Sequence, residues 1–149
     1  MLKDVLIELY ERDLGKLRDE IAAYENEADI WKTGNGITNP AGNLCLHLSG
    51  NLRHFFGSVL GGDGYVRDRD AEFASKNVSK DELLAGIDAA LASVRSTLEG
   101  ISDEDFAATY PIEVFGAPIT TGFFLTHLAT HLNWHLGQIN YHRRLLAAS

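Results

Sequence analysis

Sulfur and unbroken apolar stretches are both scarce in this chain. It has one cysteine, Cys45, and one methionine. A single cysteine cannot close an internal disulfide, so the sequence fits a reducing compartment. No apolar run approaches the length needed to cross a membrane. The opening residues, MLKDVLIELYERD, place Lys3, Asp4, Glu8 and Glu11 where a secretory signal needs uninterrupted apolar side chains. These absences predict a cytoplasmic protein without a membrane partner. Positive charge is short as well: 13 Lys and Arg stand against 21 Asp and Glu, a net charge of −8. Such a chain repels phosphate backbones, which argues against a nucleic-acid partner.

What is present is ordinary for a globular protein. Hydrophobic residues make up 45% and charged residues 23% of 149 residues. That fits one domain over residues 1–149, with a core large enough to need no staples. No internal repeat, low-complexity stretch or linker interrupts it.

Periodicity predicts helices. Val5, Leu6, Leu9, Tyr10, Leu14, Leu17, Ile21 and Tyr24 recur at three- and four-residue spacing, predicting an amphipathic helix from about Leu2 to Trp31. The turn-rich KTGNGITN follows. Asn39 as cap and Pro40 as first residue predict a second helix to about Leu60, ended by Gly61, Gly62 and Gly64. A charged loop, Gly64 to Phe73, comes next. Ser79 and Glu82 form a capping-box pattern for a third helix to about Glu99. Ser102 to Phe106 reads as one short helical turn. Thr109 to Ile119 reads as a small hairpin around Phe115 and Gly116. A last long helix runs from about Thr121 to Leu146. The expectation is an all-α four-helix bundle with a charged loop after the second helix and a small hairpin before the fourth.

The six histidines fall on two of these helices. His47 and His54 lie on the second, and His127, His131, His135 and His142 on the fourth. Residues four apart are neighbours on a helix, with Cβ atoms ~5–6 Å apart, and zinc or nickel binds imidazole nitrogen at ~2 Å. One ion can therefore bridge an i, i+4 pair such as His131 and His135. Residues eight apart are separated by ~12 Å, so one straight helix cannot offer His127, His131 and His135 together. His47 and His54 are ~10 Å apart along their axis, so one of them reaches a given ion. Three histidines would leave positions open for water or substrate. The plainer alternative is that these are hydrogen-bonded core or surface histidines, because HxxxH alone is a weak motif. His142, beside Arg143 and Arg144 near a helix end, reads as structural.

Other residues weigh less. Cys45 points ~200° away from His47 and reads as a small buried residue. Arg67, Asp68, Arg69 and Asp70 read first as a solvated surface, and second as arginines that grip an acidic substrate or thiol carboxylate. Gln138 can orient a ligand histidine. Gly137 reads as a point of close approach for another helix. Trp31 and Trp134 read as core or dimer contacts.

The last helix, HLATHLNWHLGQINYHRRLL from His127 to Leu146, resembles that of the DinB/YfiT-like superfamily. The match centres on His131, His135, Gly137 and Gln138. PAGNLCLHLSGNLRHFFGSVLGG, from Pro40 to Gly62, resembles the family's second helix, and the Gly64–Phe73 loop resembles one branch of it. The resemblance covers essentially the whole chain. It implies a four-helix bundle with an atypical connection order, a homodimer, and a divalent metal, nickel or zinc, on His47, His131 and His135. His54 is the alternative second-helix ligand. His127, His54, Gln138, Arg67 and Arg69 are the candidate supporting or substrate-binding residues. Relatives include transferases and isomerases that use bacillithiol, mycothiol or glutathione, although no residue here assigns a thiol cofactor. The functional expectation is a metal-dependent thiol transferase or hydrolase acting on a small molecule. The alternative is a non-catalytic dimeric bundle that binds metal or ligand in a stress response.

Overall fold

The apolar stripe of the first segment does bury one helix face. In the computed structural model, which describes residues 1–147, α1 spans Leu2–Ala22 and buries Leu6, Tyr10, Leu14, Leu17 and Ile21. The helix stops short of the expected Trp31. Asn26 is extended and its side chain accepts from Ala28 N–H, starting a separate 3-10 turn at Glu27–Trp31. The apolar period continued through Tyr24 and Ile30 because both are buried on either side of that break.

Next comes α2, Ala41–Leu52, almost wholly buried, continued by a π-helical stretch at Arg53–Leu60. Pro40 is the cap residue rather than the first helical one, and no side chain caps this end. The expected charged loop is only partly a loop. Asp68 caps a six-residue helix, α3, at Arg69–Ala74, accepting from Ala71 N–H at 3.0 Å. Helix α4, Lys80–Gly100, starts at Ser79 as expected, and Ser79 accepts from Glu82 N–H. The complete capping box lies instead at Ser102 and Asp105, opening α5 at Asp103–Ala107. The last helix, α6, spans Thr121–His142 and passes into a π turn at Arg143–Ala147.

All six of these helices are joined without a strand among the described residues. The expected hairpin does not form. One isolated bridge joins Thr109 and Thr120, and Tyr110 N–H donates to Ile119 C=O at 2.8 Å. Pro111 and Pro118 lack the N–H groups that would extend the ladder.

The long helices pack in a closed circuit, α1 on α4 and α6, and α2 on α4 and α6. Their buried residues form one cluster. Polar ties fix α1 against α6: Tyr10 O–H donates to Leu125 C=O at 2.6 Å, and Asn133 donates to the buried Asp13 at 3.1 Å. His47 approaches His131 while Phe55 meets Phe124, so α2 and α6 run antiparallel. No described helix is long and apolar enough to cross a membrane.

Candidate metal centre

Antiparallel packing of α2 on α6 brings three histidines to one point. His47 Nε2 lies 3.1 Å from His131 Nε2. One nitrogen from each of His47, His131 and His135 lies within 4.8 Å of the others. Two imidazoles on one tetrahedral ion, at bonds of ~2.0–2.1 Å, sit about 3.3 Å apart. The trio therefore has the spacing that a single ion can span.

The outer nitrogens are held by oxygen acceptors. His47 Nδ1 lies 3.1 Å from Glu72 Oε1, and His135 Nδ1 lies 2.7 Å from Gln138 Oε1. An oxygen acceptor requires the imidazole to be the donor, so both protons sit on Nδ1 and both Nε2 atoms carry lone pairs, that of His47 facing His131 Nε2. Arg67 Nη2 also lies 3.2 Å from His47 Nδ1. A guanidinium only donates, so it competes with Glu72 for that nitrogen. Glu72 is the better partner on both sides, because it holds Arg67 in a fork, Nε to Oε2 and Nη2 to Oε1, each at 2.9 Å.

Electrostatics favour neutral imidazoles. Burial, reinforced by His135, His47, His127 and Arg67, pulls His131 down to about 4. Burial also lowers His135, against the opposing hydrogen bond to Gln138. Both can therefore offer lone pairs at neutral pH. Burial would raise Glu72, but hydrogen bonds from His47 and Arg67 and the Arg67 charge hold it below the ordinary range. His131 Nδ1 is different from its counterparts, being buried with no partner.

The remaining sequence candidates divide cleanly. Gln138 and Arg67 join the site as supports. Arg67 is not the solvated surface residue favoured by its sequence context, because α3 folds its loop onto α2. Arg69 stays outside, over the Phe73 ring at 5.2 Å. His54 meets Phe55 edge-on at 4.8 Å and His127 meets Phe115 edge-on at 5.0 Å, and neither is in the trio. Burial, with the Arg67 charge, lowers His54. His142 is structural, but as a buried neutral bridge rather than a cation at a helix end. It accepts from Tyr24 O–H at 2.6 Å and its Nε2–H donates to Lys32 C=O at 2.8 Å. Cys45 is fully buried and its thiol is pushed up to about 12. Apart from the adjoining backbone of α6 itself, nothing among the described residues comes within 4 Å of the space a Gly137 side chain would fill, so no other described helix explains that glycine.

Glu72 was missed from the sequence, and a signal for it existed. Gly50 lies mid-helix on α2, where glycine is unfavourable, and the Glu72 carboxylate fills the space its side chain would take.

The molecule is thus an all-helical protein with a buttressed three-histidine cluster between two helices. The chain belongs to the DUF1572 family, a family of proteins of unknown function, whose model matches residues 5–149. A comparison with curated proteins finds no match.

Proposed function

We propose that this chain is a DinB-like four-helix bundle that holds a divalent metal ion on His47, His131 and His135 and uses it as an enzyme on a small molecule. The observation that carries this reading is the pair of oxygen acceptors, Glu72 and Gln138, that turn two imidazole lone pairs toward the third histidine. Such carboxylate– or amide–histidine pairs are how metal-binding imidazoles are oriented. Imidazole donors suit zinc or nickel. When bound, such an ion supplies Lewis acidity that lowers the pKa of a thiol or water joining it. Thiol transfer and hydrolysis both fit that chemistry.

The chain's own residues bind and orient. Glu72 is engaged by His47 and Arg67, so it positions rather than shuttles protons. Gln138 keeps its amide beside a cavity of about 390 Å³, lined by Ile37, Thr38, Leu44, His135 and Tyr141. That volume suits a small substrate. A homodimer is supported by Phe123, Trp134, Tyr141 and Leu145, exposed apolar residues along one face of α6 and the π turn that continues it. The alternative, a non-catalytic metal- or ligand-binding dimer, would use the same histidines without turnover.

Elemental analysis of purified protein tests the metal. Wild type is expected to hold about one zinc or nickel per chain, and His47→Ala, His131→Ala and His135→Ala much less. Equal metal content in all four would sink the site.

A further inference from the structure

Each histidine that binds an ion through Nε2 carries its proton on Nδ1, and that proton needs an acceptor. His47 has Glu72 and His135 has Gln138. His131 has none, although its Nδ1 is buried. The described residues contain two other buried unpaired side-chain atoms, Asn51 Oδ1 and Arg53 Nε. Arg53 Nε is itself a donor and cannot serve. Asn51 Oδ1 is an acceptor, on a side chain only 6% exposed.

Placement favours the same pairing. Asn51 follows His47 by one helical turn, so it presents to the same side of α2. It lies between two contacts with α6, His47 of α2 on His131 and Phe55 of the π-helical continuation on Phe124. A missing acceptor and an idle one therefore stand on facing helices, one turn apart.

We infer that Asn51 is the positioning residue for His131, its side-chain oxygen accepting the Nδ1–H when His131 binds metal. This rests on the metal reading above. The pairing gives every ligand histidine its own oxygen acceptor: a carboxylate from α3, and amides from α6 and α2. It also explains why the side-chain oxygen of a buried asparagine has no hydrogen-bond partner within the chain.

Zinc titration against a competing chelator tests it, together with NMR of imidazole N–H protons in the zinc-loaded protein. Asn51→Leu is expected to lower zinc affinity about 10- to 100-fold and to release the His131 Nδ1–H to fast solvent exchange. Asn51→Asp, which keeps an acceptor, is expected to restore both. The thermal midpoint of metal-free Asn51→Leu should equal or exceed that of wild type, because an unpaired buried polar atom is removed. Wild-type affinity in Asn51→Leu, or an equal loss in Asn51→Asp, would overturn the assignment while leaving the metal site standing. Undiminished zinc binding by His131→Ala would overturn the metal reading and this one with it. Should Asn51→Leu fail to fold, the wild-type spectrum decides: a His131 Nδ1–H exchanging as fast as free imidazole overturns the pairing.

Discussion

Gly50 and Glu72 occupy one another's space: the carboxylate of Glu72, from α3, lies where a Cβ on residue 50 of α2 would be. The absence of a side chain at 50 is what lets the carboxylate reach His47. Gly50→Ala is expected to push Glu72 away, free His47 Nδ1, and lower metal affinity about 10- to 100-fold. A crowding loss of about 1–3 kcal/mol in stability should accompany it, offset in part by the roughly 1 kcal/mol that alanine gains over glycine in a helix. Metal titration and urea unfolding read the two effects, and unaltered affinity would show that Glu72 does not orient His47.

Arg67 and Arg69 look alike in sequence and should behave differently. Removing Arg67 leaves the buried Glu72 carboxylate without its fork. Arg67→Ala is expected to destabilise by about 3 kcal/mol, as breaking a buried pair does. Arg69→Ala removes a contact over an aromatic ring on the surface and should stay within about 0.5 kcal/mol. Denaturant midpoints of the two variants make the comparison, and similar losses would contradict the separation.

Stability should fall in mild acid. His131 is held down to about 4 by burial and by its histidine neighbours, and His142 is lowered mainly by burial. Both prefer to be neutral when folded, so the unfolded chain binds more protons between pH ~6.5 and the folded values. Their contribution is full above pH ~6.5 and is lost as pH falls toward about 4. Protonated His142 could no longer accept from Tyr24 O–H. Denaturant midpoints of metal-free protein from pH 7.5 to 4.5 should decline accordingly, and Tyr24→Phe should weaken the fold at pH 7.5 by about 1 kcal/mol. A flat profile would mean these histidines are not buried as neutral groups.

The outward face of α6 offers the test of assembly. Trp134 is 69% exposed, with Tyr141 and Leu145 beside it on the same face. Wild type is expected to sediment as a dimer and Trp134→Ser/Leu145→Ser as a monomer. A double variant that remains dimeric would place the interface elsewhere.

The nearness of His131 and His135 was legible because its determinants are local. His131 and His135 share one helix turn, and the choice of His47 over His54 came from resemblance, which the geometry of α2 matches by placing His47 alone within reach of the pair. Glu72 was not legible, because it reaches His47 only after α3 folds onto α2. RDRDAEF reads as a solvated run until Asp68 caps it into a helix. The end of α1 was hidden because Tyr24 and Ile30 stay buried across an irregular turn. The hairpin was over-read from apolar residues whose flanking prolines prevent a ladder.

The chain lacks the cysteines to link distant segments covalently, yet His47 and His131 meet across 84 positions of sequence. An ion shared between them would act as a cross-link, closing a long loop and removing conformational freedom from the unfolded ensemble much as a disulfide does. Unlike a disulfide, that tie would survive in a reducing medium and would open on contact with a chelator. Persistence of the folded chain would then track metal supply, so that metal-starved protein becomes the fraction most exposed to proteolysis.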